Sequence, residues 1–289
     1  MKIAFIGTGL MGYPMAKNLA ENKFNINVYS RTIHKAKPLE KYGARVLNSL
    51  SGAIKNADIV ITMLTDDAAV HDVLGSKEFQ NTVKPSSVVI DMSSVNPKTA
   101  IKYFKLLKAK KINFLDAPVS GGTIGAKEAS LAIMVGGNKK IFDKIFPILK
   151  VLGNPTLVGS VGSGQIAKLA NQIIVGITIG AVAEAIFLCE KTGVDANKFI
   201  KALSGGFADG KILQNHGKRM INKDFSPKGK VSTHLKDMNN ILNCANEFKI
   251  KLPISNLIKK MFKSLVDQGR YNDDHSALYK EIKKINKNL

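Results

Sequence analysis

Residues 162–190, GSGQIAKLANQIIVGITIGAVAEAIFLCE, are an unbroken run of helix-compatible residues with no proline and a Gly-Ser-Gly entry. The run predicts one long helix. Between Gln165 and Cys189 its only charged side chains are Lys168 and Glu184. Such a helix is apolar nearly all round and is expected to be buried. A lysine buried at its start is costly unless it has a partner or a task. Asn171 follows three residues on, on the same helical face. Lys168 and Asn171 are therefore expected to face a pocket to which the N-terminal half of the chain brings a nucleotide. Glu184, deep in the apolar run, is expected to be paired structurally.

The N-terminal half alternates short apolar runs with helical patterns. Lys2-Ile-Ala-Phe-Ile6 leads at once into Gly7-Thr-Gly9-Leu10-Met11-Gly12, and a helical pattern follows over residues 13–19. Pro14 falls in the first turn, where its missing N–H does no harm. A G-x-G-x-x-G between strand and helix is the context of a dinucleotide-binding turn. Gly7 permits the tight turn, Gly9 lets the backbone approach a pyrophosphate, and Gly12 lets the helix pack on the strand, with the helix N-terminus facing the phosphates. The second strand, residues 25–29, ends in Ser30-Arg31-Thr32. An acidic residue there would hold the adenosine ribose of NAD. None is present, and Arg31, assisted by Ser30, Thr32 or Lys35, can reach a 2′-phosphate instead, which favours NADP over NAD. The alternative is that Arg31 stacks on adenine and both cofactors bind.

Further strands over residues 58–64, 87–91 and 112–115 continue this βαβ rhythm, and Thr65-Asp66-Asp67 caps a helix. The class is α/β, with a mostly parallel, doubly wound sheet. Ligands in such sheets lie beyond the carboxyl ends of the strands. That sets Leu64-Thr65, Ser93-Ser94 and Ser120-Gly121-Gly122 around one crevice. The last of these is either an anion nest suited to a carboxylate or an ordinary turn. Strands over residues 129–137 and 156–159 follow, and the glycine-rich residues 160–164 mark a boundary. Residues 1–161 are expected to form a dinucleotide-binding domain and residues 162–289 an all-α substrate and oligomerisation domain that opens with the long helix.

Several function classes are disfavoured. The formal charge of +21 invites a polyanionic partner, but the lysines are scattered and no zinc-finger, RRM or basic-zipper pattern accompanies them. A lysine-rich surface that steers small anions is the reading adopted, with no nucleic acid. Cys189 and Cys244 lie far apart in no ligand spacing, so a reducing cytoplasm is expected. Residues 2–6 already read as a strand rather than a signal peptide. The longest apolar run, residues 173–183, is short for a bilayer span, and no membrane is expected. His34, His71, His216, His234 and His275 form no ligand pattern. Surface or capping roles are expected for them, and no metal. Asp237 is expected to be an ion-pair partner.

Four motifs resemble those of the β-hydroxyacid dehydrogenase family. They are Phe5-Ile-Gly-Thr-Gly-Leu-Met-Gly-Tyr-Pro-Met-Ala-Lys-Asn-Leu19, Asp116-Ala-Pro-Val-Ser-Gly-Gly122, Gly162-Ser-Gly-Gln-Ile-Ala-Lys-Leu-Ala-Asn171 and Lys236-Asp237. The resemblance implies a Rossmann domain joined by a long helix to an all-α domain, in dimers or tetramers. It implies that Lys168 is the catalytic acid/base and that Asn171 orients substrate. Ser120, Gly121 and Gly122 would hold the substrate carboxylate, and Ser94 and Lys236 the nicotinamide end of the cofactor. The reaction implied is reversible hydride transfer between NAD(P) and a small 3-oxo or 3-hydroxy acid, with Lys168 tuned towards neutrality by its apolar setting. Within the family, Lys168-Leu-Ala-Asn-Gln172, Ser204-Gly-Gly206 and Asp274-His-Ser-Ala-Leu278 are similar to the tartronate semialdehyde reductases, which convert their substrate to glycerate. Ser30-Arg31-Thr32 looks more like the NADPH-using glyoxylate and succinic semialdehyde reductases. 3-Hydroxyisobutyrate dehydrogenase activity is a further alternative within the family, and a non-enzymatic NADP-binding module is the alternative outside it.

Overall fold

Strand β1 (Lys2–Ile6) lies at the centre of a nine-stranded sheet, flanked by β2 (Asn25–Tyr29) and β4 (Ile59–Thr62), with β3 (Arg45–Val46) beyond β2. On the other side β5 (Val88–Asp91) and β6 (Asn113–Asp116) extend the parallel run. Alternation of side chains explains why β1 is apolar from Ile3 to Ile6: Ile3 and Phe5 enter one core, and Ala4 and Ile6 enter the core on the opposite face. The computed structural model describes residues 1–287; the last two residues of the second expected domain, 288 and 289, lie outside the described residues.

The far edge of the sheet turns antiparallel. β6 and the two-residue β7 (Val119–Ser120) run one after the other along the same neighbour, β8 (Leu131–Gly136), and β9 (Gly153–Gly159) pairs parallel to β8. Ser120 therefore lies past the carboxyl end of β6, as the crevice argument requires. The short strands β3 and β7 are absent from the sequence reading, because two residues carry no periodicity.

The chain divides into two compact units, Met1–Lys168 and Leu169–Leu289. The division falls at Lys168 rather than at position 161, inside the long helix Ser163–Lys191. The physical reason is local. The first turn of that helix is bonded to the sheet: Asp116 accepts hydrogen bonds from the Gly162 and Gln165 backbone N–H groups at 2.8 and 2.9 Å.

The second unit is helical. Its longer helices are the remainder of Ser163–Lys191, Val231–Glu247 and Pro253–Asp267, with shorter ones at Ala196–Ala202 and Leu278–Ile285. Leu169, Ile179, Ala183 and Ile186 of the long helix share its core with Met238, Phe262 and Leu278. The expectation that this helix is buried all round is corrected. Ile174 is 66% and Leu188 64% exposed, and Glu184 is exposed rather than deep. An apolar composition reports that two sides of a helix are greasy, not that both are covered by the same chain. With 29 residues and a mean hydropathy of 2.0 over its most apolar stretch, this helix is long and apolar enough to cross a membrane by length and composition. The sequence reading measured only its uninterrupted apolar run and missed this.

Candidate active site

The loop after β1 is shaped by close approaches. A Cβ on Gly12 would stand 2.0 Å from the Gly7 carbonyl oxygen, and one on Gly7, at φ +101°, would stand 2.4 Å from the Met63 carbonyl oxygen. Those two glycines are required by the fold itself. Gly9 differs: among the described residues, its two chain neighbours apart, no atom lies within 4 Å of where its Cβ would be. Nothing within the chain demands glycine there, whereas a ligand pressed against the backbone would. The Thr8 hydroxyl beside it is buried without a hydrogen-bond partner. Helix Gly12–Glu21 starts with no side-chain cap and no acidic residue in its first turn, so its leading N–H groups can receive phosphate oxygens. The residues present thus fit a dinucleotide. Leu10 is exposed and Met11 half-buried on the same loop.

The other expected cofactor residues emerge from the same edge of the sheet. Gly7 N–H donates to the Tyr29 carbonyl at 2.9 Å, tying the loop to the end of β2, where Ser30, Arg31 and Thr32 follow. Arg31 is exposed, and no acidic residue stands between Ser30 and Ala36. At the end of β4, the Leu64 N–H donates to Ser93 Oγ at 2.9 Å. Thr65 leads into Asp66, whose carboxylate caps helix Asp67–Leu74 by accepting from Ala69 N–H. Ser94 follows at the end of β5. Past β7, Gly121 and Gly122 take φ values of +137° and +62°, both in the region that favours glycine, with their backbone exposed beside Ser120.

Beneath these loops lies a polar network that the sequence reading did not assign. Thr62, Asp91 and Asp116 are register neighbours at the carboxyl ends of β4, β5 and β6. Asp91 accepts from Thr62 Oγ1 at 2.9 Å and Ser93 N–H at 3.1 Å; its other oxygen is buried with no partner. Burial pushes Asp91 up to about 6, against the bonds from Ser93 and Thr62. Asp116 is likewise raised to about 6 by burial, against the N–H groups of Gly162 and Gln165. Gln165, fully buried, donates from Nε2 to the Ser93 carbonyl at 2.8 Å and accepts at Oε1 from the Val95 N–H at 3.1 Å. Lys168, 8% exposed, follows one turn later on the same helix. The signal for Asp91, Asp116 and Gln165 was available: each is a polar side chain ending or interrupting an apolar run, and buried polar groups need named partners.

In the second unit Asn171 and Lys236 are joined in one chain of contacts. Asn171 Nδ2 donates to Gln172 Oε1 at 2.8 Å, Gln172 Nε2 donates to Asp237 Oδ2 at 2.6 Å, and Lys236 Nζ lies 3.3 Å from Asp237 Oδ1. Asp237 is thus an ion-pair partner, as expected.

The histidine expectation is corrected. His216, His234 and His275 are not surface groups but one cluster, with ring centroids 4.6 Å apart for His216 and His275 and 5.3 Å for His234 and His275. Potential ligand atoms of His216, Asp274 and His275 lie within 4.8 Å of one another. Asp274 is already engaged there. It accepts from Ser276 N–H and Oγ, and from Lys228 and Gly229 N–H, and the Arg219 guanidinium lies 3.6 Å away. That guanidinium is the cation with which the carboxylate is paired. The cluster assembles residues up to 59 positions apart (275 − 216), which no local spacing could reveal.

Comparison with known proteins places these features in a family. Residues 2–163 match the family model described as the NAD binding domain of 6-phosphogluconate dehydrogenase. Residues 162–282 match the one described as the NAD-binding domain of NADP-dependent 3-hydroxyisobutyrate dehydrogenase. The 2-hydroxy-3-oxopropionate reductase of Escherichia coli (strain K12) is 39% identical, over 98% of this chain and 97% of that one. An Arabidopsis thaliana protein named as a probable mitochondrial 3-hydroxyisobutyrate dehydrogenase-like 1 is 32% identical, over 99% of this chain and 86% of its own. Among solved structures, 3-hydroxyisobutyrate dehydrogenase of Mycobacterium tuberculosis with L-serine superposes with a TM-score of 0.88 at 26% identity, covering 97% of this chain and 98% of that one.

Proposed function

We infer the function of this chain from the premise that it belongs to the β-hydroxyacid dehydrogenase family, the 3-hydroxyisobutyrate dehydrogenase-like oxidoreductases. It is an NAD(P)-dependent enzyme of small hydroxy and oxo acids. The finer reading is reduction of a small 3-oxo acid, with tartronate semialdehyde giving glycerate as the first choice and NADP as the preferred cofactor. The 39% identity to a 2-hydroxy-3-oxopropionate reductase over nearly the full length supports that choice of substrate. 3-Hydroxyisobutyrate dehydrogenase or glyoxylate/succinic semialdehyde reductase activity is the alternative.

One observation carries the mechanism. Lys168 is a buried amine on a helix whose first turn is bonded to the carboxyl ends of β5 and β6, the sheet edge from which the glycine loop and Ser94 also emerge. In reduction Lys168 Nζ gives a proton to the carbonyl oxygen as negative charge develops there; in oxidation it takes the hydroxyl proton. A bound nicotinamide supplies or receives the hydride at C4. Ser120 Oγ and the N–H groups of Gly121 and Gly122 bind the substrate carboxylate, and Asn171 orients the reacting end. Gly7, Gly9, Leu10, Met11, Gly12, Leu64, Thr65, Ser94 and Lys236 hold the cofactor, and Ser30, Arg31 and Thr32 receive its 2′-phosphate. The absence of an acidic residue at the end of β2 supports NADP. The exposed apolar side chains Leu188, Leu257 and Ile285 of the helical unit, which border a groove of about 520 Å³, support a homodimer or homotetramer.

The test is turnover of tartronate, methylmalonate and succinate semialdehydes and of glyoxylate with NADPH and with NADH, for the parent and Lys168→Ala. The variant is expected to lose turnover by about two orders of magnitude or more while still binding NADPH. Near-normal turnover would remove Lys168 from the mechanism, and a fiftyfold preference of the parent for another acid would replace the substrate.

A further inference from the structure

The polar network under the crevice contains one side chain whose bonds are hard to explain by helix stability alone. Gln165 reaches the strand end on both sides of a single residue. Its Nε2 donates to the carbonyl of Ser93 and its Oε1 accepts from the N–H of Val95. The bracketed residue is Ser94, assigned above to the cofactor. The backbone N–H of Gln165 donates to Asp116 Oδ2 at 2.9 Å, so Gln165 is bonded to β6 as well. Lys168 lies three positions on, on the same helical face.

The seat of this helix is also tight. A Cβ on Gly164 would stand 2.5 Å from the Met134 carbonyl oxygen and 2.8 Å from that of Asp116. A Cβ on Gly136 would stand 2.5 Å from Asp116 Oδ1 and 2.8 Å from Gly164 N. Backbone thus meets backbone, and the helix start has no room to slide towards the sheet. The Asp116 bonds to the Gly162 and Gln165 N–H groups tie this start to β6, and the Gln165 side chain adds the tie to the chain that leaves β5. An amide bonded to residues 93 and 95 therefore sets the helix start against the Ser94 segment as well as against β6.

We propose that Gln165 is a positioning residue, whose side-chain amide fixes Lys168 relative to the Ser94 end of the crevice. The geometry needs a side chain of this length with one end donating to a carbonyl and the other accepting from an N–H, which an amide supplies at every pH. The proposal rests on the reading of Lys168 as the acid/base group. Its consequence is that Gln165 matters to turnover only through Lys168, because a misplaced proton donor costs rate without necessarily costing binding.

The experiment is a double-mutant cycle on the full-length enzyme, with NADPH and the best aldehyde acid of the panel. Gln165→Met keeps length and shape and removes both bonds. It is expected to lower kcat by about 10- to 100-fold with the KM for NADPH changed by less than about threefold. In the Lys168→Ala background the same substitution is expected to change kcat by less than about threefold, because the group it positions is gone. Gln165→Glu adds a pH readout and serves as the second variant if Gln165→Met does not fold. The protonated acid can both donate and accept, so its kcat relative to the parent at the same pH should recover as pH falls. Equal losses from Gln165→Met in both backgrounds, or a Gln165→Glu ratio that is flat with pH, would overturn the proposal and leave Gln165 a structural residue. A full Lys168→Ala effect beside an unchanged Gln165→Met would overturn it while sparing the reading of Lys168. Undiminished turnover in Lys168→Ala alone would remove both.

Discussion

Asp91 and Asp116 in the first unit and Asp274 in the second are all buried carboxylates, yet their surroundings act on them in opposite senses. Asp91 and Asp116 face backbone N–H groups, hydroxyls and each other, with no ion pair to either among the described residues, and burial raises both to about 6. Burial would raise Asp274 too. There the charge of His275 and the bonds from Ser276 and Gly229 overcome it, and the pKa lies below the ordinary carboxylate value. Arg219 stands 3.6 Å away as permanent counter-charge. The histidines answer in kind. Burial, and then His234, push His275 down to about 3 against the attraction of Asp274, and burial lowers His216. One cluster therefore resists holding negative charge, and the other resists taking on further positive charge. Similar burial gives opposite chemistry because the charge of His275 and the bonds from Ser276 and Gly229 outweigh burial at Asp274, whereas the bonds to Asp91 and Asp116 do not.

The largest expected consequence is at Asp274. Asp274→Asn removes the buried one of the two carboxylates that lie 3.6 Å from the Arg219 guanidinium, and replaces an acceptor-only group with one that must turn an amide towards N–H donors. Removing one partner of a buried pair costs about 3–5 kcal/mol. Urea denaturation at pH 7 followed by circular dichroism checks this; a cost below about 1 kcal/mol would mean that Arg219 is solvated without Asp274, and the contrast between the clusters would lose its basis.

Next in size is the response to pH, which should differ in sign between the units. The folded-state pKa of Asp91 and of Asp116 is above the usual 3.8, so the folded state binds more protons between about pH 4 and 6. Stability from these groups falls as pH rises through that window. For His216 and His275 the folded value is below the usual 6.5, so the unfolded state binds more protons. Stability from these groups falls as pH drops below 6.5. Each group contributes a slope of at most about 1.4 kcal/mol per pH unit. Hydrogen exchange read by mass spectrometry at pH 7 and 5, corrected for intrinsic rates, should show protection gained around β5 and β6 and lost in Val231–Glu247. Parallel changes in both regions would break the comparison.

How much of this could be read from the chain alone follows the distance between interacting residues. The glycine turn was legible because strand, Gly7, Gly9, Gly12 and helix lie within about twenty positions and obey local steric rules. The Asp66 cap was legible for the same reason. The bonds of Gln165 to Ser93 and Val95 cross 72 and 70 positions, and those of Asp116 to the helix start cross 46 and 49. Each motif was visible, but not the fact that they close on one another. The long helix posed a different problem. Its composition announced apolar faces, but Ile174 and Leu188 show that hydropathy does not state which face the same chain covers.

The smallest effect is the most diagnostic. Asp91→Asn keeps the oxygen that accepts from Thr62 Oγ1 and Ser93 N–H and replaces the one with no partner. It also removes a charge that burial disfavours. The substitution costs two new N–H donors in an apolar setting and relieves the desolvation of a carboxylate, and these terms oppose each other. The expected net change at pH 7 is within about 1 kcal/mol of zero, with the pH dependence between 4 and 6 reduced by the share Asp91 supplies. Denaturation midpoints of parent and variant at pH 7 and 5 give both quantities. A loss as large as that of Asp274→Asn would mean that Asp91 is ionised and partnered in the folded protein, so that the two clusters follow one electrostatic plan after all.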